Sequence, residues 1–469
     1  MKRKYGEVDD ETFRSRVSTV NKDGKRNWVH ATQPSGKLYT IRKNLSYLYF
    51  AVFLAMPFIH IRGVQFLQFN VIQGRFSIFG KIFWPNDFFI FAVIFIIGIL
   101  LVALFTVIYG RIFCGWICPQ TIFMEFLFRR IEWLIEGTPA QQRRLAKAPW
   151  NKEKILKKGG KHFVFFAVSF VIANVFLAYI IGSKDLIAKI TQPIGQNWGI
   201  LSGLLIFTFV FYFVFAYVRD IVCTTICPYG RLQSVMYDKE TVQISYDYKR
   251  GEPRGKLKDK AAMGLGDCID CFQCVTVCPT GIDIRNGVQM ECVGCTACID
   301  ACDNIMEKIN LPTGLIRYAS ENEIQSGVKA PFTFKAKAYT GVLVVLMIFL
   351  ITLIATRKNI DTYIGRVKGH TYQVNTAGAV SNLFSAKVIN KSRKDLPIDL
   401  RLIDTEGEIR IVGHKDGIVL HKESINEITF FVEYPKGKYQ TGSSKIKIGI
   451  FEGDDAIQVV KANFLGPFK

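Results

Sequence analysis

The chain has 469 residues, of which 49% are hydrophobic and 13% aromatic, and its formal net charge is +21. Soluble proteins rarely combine such an apolar composition, here with 38 Phe, with so large a charge, so a membrane protein with basic segments outside the bilayer is indicated. Twelve Cys are too few for a disulfide scaffold of this length. The composition therefore disfavours a disordered chain, a small secreted disulfide protein and an ordinary soluble enzyme.

Five apolar runs without Lys, Arg, Asp or Glu are long enough to be transmembrane helices. A bilayer core about 30 Å thick requires about 20 residues of helix. The first run is the shortest and contains Pro57, which makes it the weakest of the five. The predicted spans are residues 45–61, 88–109, 163–182, 198–218 and 338–356.

Lys and Arg residues are divided unevenly between the two sides that these spans define. The counts are 11 in 1–44, 11 in 110–162 and 15 in 219–337, against 3 in 62–87 and 2 in 183–197. Because cytoplasmic loops carry the basic excess, we expect a multi-pass bacterial inner-membrane protein with a cytoplasmic N-terminus and a periplasmic C-terminal segment. This topology and the attraction to anionic membrane lipid explain most of the charge, so no nucleic-acid partner is expected.

A C-x3-C-P motif occurs twice, each time after a pair of predicted spans. Cys114 and Cys118 form the first copy, and Cys223 and Cys227 follow 109 residues later. If each pair is helical, its two thiols share one face. Thiolates at this spacing suit a soft ion such as Cu(I). Four converging thiols would also serve as a redox pair or hold another metal, and buried structural cysteines are the plain alternative.

The other eight Cys form two runs with the spacing of bacterial two-cluster ferredoxins. The first three Cys of each run wrap one cluster, and the fourth is carried on to the other cluster. We therefore predict one [4Fe–4S] cluster on Cys268, Cys271, Cys274 and Cys302, and a second on Cys292, Cys295, Cys298 and Cys278. Zinc sites prefer two separated pairs of ligands, and disulfides are disfavoured in the cytoplasm.

The C-terminal part of the chain changes to short stretches of alternating hydrophobicity. They include residues 398–403, 409–412, 428–432 and 446–450, separated by turn residues, and this region has no Cys. About 110 residues of this pattern predict an immunoglobulin-like sandwich.

The predicted fold class is thus a polytopic α-helical membrane protein with a ferredoxin-like two-cluster insert and a C-terminal all-β immunoglobulin-like sandwich. We expect a cytoplasmic N-terminal segment (1–44), a four-span membrane domain with two C-x3-C-P repeats (45–240), a cytoplasmic two-cluster domain (241–337), a fifth transmembrane helix (338–356) and an extracytoplasmic immunoglobulin-like domain (357–469).

Several motifs resemble those of the cytochrome c oxidase accessory protein family called CcoG, FixG or RdxA. They are Gly110-Arg-Ile-Phe-Cys-Gly-Trp-Ile-Cys-Pro-Gln-Thr, Cys227-Pro-Tyr-Gly-Arg, Arg250-Gly-Glu-Pro-Arg-Gly-Lys, Pro279-Thr-Gly-Ile-Asp-Ile-Arg, and the region from Gly266 to Tyr318 that holds the eight Cys. The resemblance covers nearly the whole chain, although the C-terminal domain matches by pattern more than by motif. Asp303 stands where Pro would follow the fourth Cys of the second run, which leaves the ligands intact.

This resemblance implies a membrane cupric reductase that converts Cu(II) to Cu(I) for assembly of the cbb-type cytochrome oxidase. The eight ferredoxin-type Cys would hold the two clusters, and Cys114, Cys118, Cys223 and Cys227 would form the copper or redox site. Oxidase subunits or a copper chaperone or transporter would be the partners, and the electron donor is unknown.

Two alternative functions share these sequence features. One is a quinol dehydrogenase-like membrane ferredoxin that feeds a periplasmic reductase, although such a protein would not need the C-terminal sandwich. The other is a non-enzymatic scaffold for oxidase assembly, in which the clusters are structural or sensing.

Overall fold

The computed structural model describes residues 26, 28–71, 74–84, 87–328, 333–357, 359–376, 378–392, 394–403, 407–413, 418–437 and 442–467. Within these residues the chain divides into two compact units. The first lies within residues 26–350, and the second lies mostly within residues 351–467.

Among the described residues, ten α-helices precede the cysteine-rich insert. They are α1 (Lys37–Ala55), α2 (Phe88–Tyr109), α3 (Ile112–Trp116), α4 (Pro119–Phe123), α5 (Arg129–Glu136), α6 (Pro139–Lys147), α7 (Lys152–Ile181), α8 (Ser183–Ile190), α9 (Trp198–Phe213) and α10 (Pro228–Met236). Three π-helical segments adjoin them at Met124–Phe128, Val214–Val218 and Val222–Ile226. One further long helix, α16 (Phe334–Ala355), follows the insert.

Four of the described helices are long and apolar enough to cross a membrane: Phe88–Tyr109, Lys152–Ile181, Trp198–Val218 and Phe334–Ala355. They overlap the second to fifth predicted spans. Large apolar side chains such as Phe95 and Ile206 remain about two-thirds exposed (70% and 66%), as expected for helix faces that contact lipid.

The first predicted span, residues 45–61, is not a single helix, so five continuous spans are not confirmed. Helix α1 begins earlier and ends at Ala55, and a short 3₁₀ turn, Met56–Phe58, follows it. Pro57 lies in that turn and cannot donate the backbone hydrogen bond that would extend α1. The chain then enters strand β1 (His60–Ile61).

Short strands fill the connection between α1 and α2. After β1 they are β2 (Val64–Gln65), β3 (Leu67–Asn70), β4 (Arg75–Ile78) and β5 (Lys81–Phe83). β1 pairs with β2 and β3 pairs with β4, both antiparallel. The Gln65 side chain donates to the carbonyl of Ala178 and accepts from the backbone N–H of Ser183, which fixes these hairpins at the end of α7.

The cysteine-rich insert is enclosed by an antiparallel strand pair, β6 (Gln243–Tyr246) and β7 (Ile316–Ala319). Between these strands lie α11 (Tyr248–Gly251), α12 (Lys260–Met263), α13 (Gln273–Thr276) and α14 (Ala297–Lys308), and α15 (Glu321–Ser326) follows β7. Ile244, Ile282, Met306 and Leu315 are nearly fully buried in its core, against the cysteines. Most of the apolar side chains in this small core therefore surround the thiols.

The second unit is an all-β domain of two antiparallel sheets. Its strands are β8 (Ile360–Arg366), β9 (Tyr372–Val374), β10 (Val380–Asn390), β11 (Leu396–Leu402), β12 (Glu408–Ile411), β13 (Ile418–Leu420), β14 (Ser424–Tyr434), β15 (Ser443–Glu452) and β16 (Asp455–Leu465). One sheet has the order β12-β14-β10-β8, with β9 also paired to β10, and the other has the order β13-β11-β15-β16.

Alternating residues of these strands form the core between the two sheets. Phe384 and Phe430 are fully buried cross-strand partners whose rings stack 5.8 Å apart. Ile448 and Ile450 of the other sheet are also fully buried. The period-two pattern of the sequence therefore correctly predicted strands in this region, and the apolar positions of that pattern form the core.

Candidate iron–sulfur and thiol site

Neither C-x3-C-P motif is a continuous helix, so the condition under which its two thiols would share a helical face is not met. Cys118 and Cys227 both have extended backbones (ψ 123° and 114°) and stand immediately before the helices that begin at Pro119 and Pro228. A proline disfavours helical geometry in the residue before it. In each copy the N–H of the second Cys instead bonds to a carbonyl five residues back, that of Phe113 at 2.9 Å or Val222 at 2.7 Å.

The two copies of the repeat share one backbone conformation. Gly110 has φ 54° and ψ −126°, and Arg219, which is 109 residues later, has φ 57° and ψ −126°. This region is rarely adopted by residues other than Gly. Arg219 is held there by a bidentate contact with Glu132, with nitrogen–oxygen distances of 3.0 and 2.7 Å. The equivalence supports a genuine structural repeat.

Four of the eight ferredoxin-type Cys line one cavity of about 360 Å³. They are Cys268, Cys271, Cys274 and Cys302, together with buried apolar groups such as Leu315 and Ile316. Cys302 is the last residue of its run, yet it joins the first three Cys of the other run. Burial raises the pKa of Cys302 to about 12, and negative charge on Cys274, Cys268 and Cys271 adds to the rise.

The remaining four line a neighbouring cavity of about 330 Å³. These are Cys278, Cys292, Cys295 and Cys298, and Cys274 also touches this cavity. Burial raises the pKa of Cys295 to about 12, in part opposed by the nearby charge of Arg42. Burial also raises the pKa of Cys278, and backbone N–H groups of Thr280, Gly281 and Ile282 partly offset it.

The donor set suits a multi-atom iron–sulfur cluster in each cavity. Each cavity is lined by at least four thiols, and thiolates are the ligands of [4Fe–4S] clusters. Among the described residues no three His, Cys, Asp or Glu approach closely enough to hold a single metal ion. In each cavity the last Cys of one run lies beside the first three Cys of the other run. A bound cluster would supply one-electron storage, and its iron would stabilise the thiolates that burial disfavours.

The C-x3-C-P cysteines pack against the second cavity. Cys114 and Cys223 contact the buried cluster formed by Val277, Val293 and Cys295. Burial raises the pKa of Cys114 to about 11, with smaller contributions from charge on Cys118 and Cys227. Cys114 and Cys223 therefore lie beside one ferredoxin-type site.

The backbones of the two regions touch directly. A Cβ on Gly115, in the first C-x3-C-P motif, would collide with the carbonyl oxygen of Gly294, between Cys292 and Cys295. A Cβ on Gly294 would in turn lie 2.7 Å from the carbonyl oxygen of Arg111. Only glycine on both sides permits this close approach.

A third cavity, of about 260 Å³, opens between the same regions. Cys223, Asp220 and Glu125 line it on one side, and Pro279 and Val293 of the cysteine-rich insert line it on the other. Small molecules or ions that enter this cavity would thus meet a thiol and two carboxylates within one wall.

Buried charges brace the helices that carry this cavity. Arg129 contacts both Glu125 and Asp220 and is almost fully buried. Burial alone would raise the pKa of Glu132, but Arg219 and Lys161 outweigh it and lower the pKa to about 2. The pairs of Arg129 with Asp220 and of Arg219 with Glu132 were not predicted, because their partners lie far apart in sequence and follow no local motif.

Arg42 is a further site residue that sequence reasoning missed. Its guanidinium donates to the carbonyl of Gly115 (3.1 and 2.8 Å) and to the carbonyl of Cys295 (2.5 Å). The sequence places Arg42 among the basic residues of the N-terminal segment, where it contributes only to the topology prediction.

Comparison with protein families gives three matches along the chain. A 4Fe-4S binding domain matches residues 90–136, a 4Fe-4S dicluster domain matches residues 218–321, and an IG-like fold at the C-terminus of FixG matches residues 350–467. The first match includes Cys114 and Cys118, and the second includes Cys223, Cys227 and the eight ferredoxin-type Cys.

Individual relatives agree with these matches. Protein RdxA of Cereibacter sphaeroides is 32% identical over 340 residues, which cover 71% of each chain. Nitrogen fixation protein FixG of Rhizobium meliloti is 28% identical over 427 residues, which cover 80% of this chain and 79% of the relative. The crystal structure of a FixG-related protein from Vibrio parahaemolyticus covers 23% of this chain and 97% of its own, at 15% identity and a TM-score of 0.20. This chain is therefore a membrane iron–sulfur electron-transfer protein and belongs to the FixG/RdxA family.

Proposed function

We propose that this protein reduces Cu(II) to Cu(I) at the C-x3-C-P cysteines, in support of cbb-type cytochrome oxidase assembly. Cu(II) is the substrate, and one electron per ion comes from a one-electron carrier protein or a quinol. In this proposal Cys268, Cys271, Cys274 and Cys302 hold one [4Fe–4S] cluster and Cys278, Cys292, Cys295 and Cys298 hold the other.

The observation that carries this proposal is the contact between the thiol pairs and the second cysteine cavity. Gly115 touches Gly294, and Cys114 and Cys223 pack with Cys295 in one buried cluster. A one-electron centre in that cavity would have a thiol-bound acceptor as its immediate neighbour. Soft thiolate ligands favour Cu(I) over Cu(II), so the same cysteines would stabilise the product.

The proposed topology agrees with this chemistry. The N-terminus and all twelve Cys lie on the cytoplasmic side, and the sandwich lies in the periplasm, where it docks a protein partner such as an oxidase subunit or a copper chaperone or transporter. The excess of Lys and Arg in segments 110–162 and 219–337 supports this orientation.

Anaerobic Cu(II) reduction by purified protein tests the role of the thiol pairs. We expect the double variant Cys114→Ser and Cys118→Ser to lose at least about tenfold in rate, because a serine hydroxyl is a poor ligand for Cu(I). Thr225→Ser, between Cys223 and Cys227, is the matched control and should retain the parent rate. Undiminished reduction by the double variant, with full iron content, would remove these cysteines from the reaction.

A further inference from the structure

Arg42 joins the first C-x3-C-P motif to the second cysteine cavity. It extends from α1, is only 2% exposed, and binds the carbonyl oxygens of Gly115 and Cys295 with one guanidinium group. Its guanidinium also lies over the ring of Phe126, 5.2 Å from the centroid. These contacts fix the guanidinium beside the loop that carries Cys292, Cys295 and Cys298.

The charge of Arg42 is not compensated by an ion pair among the described residues. Arg285, which lines the other cavity, differs in this respect because it contacts Asp270 at 2.5 Å and Asp283 at 2.7 Å. The carboxylate of Glu125 also acts on Cys295, but it is already bound by Arg129. Arg42 therefore places a positive charge next to one cysteine site, where carbonyl dipoles and the ring of Phe126, rather than a carboxylate, contact it among the described residues.

Such a charge has a defined effect on a cluster bound by four thiolates. The ligated cluster is negative and becomes more negative on reduction, so a buried cation beside it favours the reduced form. Little water reaches this position to screen the interaction, because Arg42 and Cys295 are both buried. Cys271 of the other site is exposed to solvent.

We propose that Arg42 is a positioning residue for the site of Cys278, Cys292, Cys295 and Cys298, where it raises the reduction potential of the bound cluster and fixes it against the C-x3-C-P motif. This inference rests on the cluster ligation in the proposed function, but not on the identity of the electron acceptor. The cysteine site beside the thiol pairs is thus the one that adjoins Arg42.

Redox titration of the purified full-length protein, followed by EPR under argon, tests this role. Arg42→Gln removes the charge and keeps hydrogen-bond donors. We expect the ratio of reduced to oxidised form of one cluster, at a fixed ambient potential, to fall by about tenfold, which is about 59 mV for a one-electron couple. Arg42→Lys keeps the charge and should restore most of the potential. Lys43→Met, which removes a charge from the next residue of α1, is the matched control and should leave both potentials unchanged.

Variants that each remove one cysteine ligand identify the cluster whose potential responds to Arg42→Gln. The shift caused by Arg42→Gln should persist in a Cys271→Ser chain and disappear in a Cys298→Ser chain. Equal potentials in the parent and Arg42→Gln proteins, both with full iron content, would overturn the proposal, as would a shift confined to the Cys271 site. A protein that keeps this shift but does not reduce Cu(II) would contradict the proposed function and leave the role of Arg42 standing.

Discussion

Single residues at this site are constrained by packing as well as by chemistry. Gly115 and Gly294 bring two backbone segments together, and Arg42 binds a carbonyl oxygen in each segment. The thiols are positioned by extended backbone before Pro119 and Pro228 rather than by one helical face. The chemistry of the cysteines therefore depends on neighbours that are neither ligands nor nucleophiles.

Substitution of Gly115 tests this dependence on packing. We expect Gly115→Ala to destabilise the protein by about 1–3 kcal/mol, because the added Cβ collides with the carbonyl of Gly294 and the two backbone segments must separate. Thermal unfolding in detergent and iron content measure the effect. Gly159→Ala is the matched control, since it also lies in a helix and its added Cβ would meet no other atom within 4 Å. Equal melting temperatures for the two variants would show that the contact between Gly115 and Gly294 is not tight.

At the level of elements, buried ion pairs connect α5 to the segment between α9 and α10. Glu132 of α5 holds Arg219, whose backbone adopts a conformation that normally requires glycine. Lys161 of α7 lies near the same carboxylate, at 3.5 Å. One carboxylate therefore fixes three elements around the cavity that Arg219 lines.

Loss of this carboxylate should be costly and dependent on pH. We expect Glu132→Gln to destabilise the protein by about 3–5 kcal/mol at neutral pH, because buried Arg219 loses its carboxylate partner, whereas Lys161 keeps Glu136 at 2.9 Å. The pKa of Glu132 is lowered to about 2, so this stabilisation is present above the ordinary carboxyl pKa and is lost as the pH falls from about 4.5 towards 2. Melting temperatures of parent and variant should therefore converge only in that acidic range. A constant difference down to pH 2 would contradict the assigned ion pair.

Sequence reasoning succeeded where local pattern determines structure. Apolar length predicted the helices within 88–109 and 198–218, and alternation predicted the strands of the sandwich. It failed at the first predicted span, where α1 ends before Pro57, although the effect of proline on a preceding helix was a usable signal. Arg42 could not be predicted, because its contact with Cys295 joins residues 253 apart in sequence.

For the whole molecule, the side of the membrane on which each part lies determines which electron donors and protein partners it can bind. The sandwich has its own core, in which Phe384, Phe430 and Ile448 are fully buried. The thiol pairs and the two cysteine cavities instead belong to the first unit. In the proposed topology the cysteine-rich insert faces the cytoplasm and the sandwich faces the periplasm, so electrons would be supplied on one side and the protein partner bound on the other.

Cysteine labelling of intact spheroplasts tests this orientation. We expect Asp454→Cys, in an exposed turn of the sandwich, to react with an impermeant maleimide before lysis. Ser326→Cys, at the exposed end of α15, is the control and should react only after the membrane is permeabilised. The reverse pattern would place the cysteine-rich domain outside the cytoplasm and exclude the proposed topology.

The presence of two clusters is tested most directly by iron, sulfide and EPR spin analysis of the full-length protein purified under argon. Two [4Fe–4S] clusters predict about eight iron and eight sulfide per chain, with two interacting one-electron centres after reduction. Cys302→Ser and Cys278→Ser should each impair a different cluster, since these residues lie in different cavities. An iron-free, colourless protein, or one in which both serine variants impair the same cluster, would contradict the crossed two-cluster site.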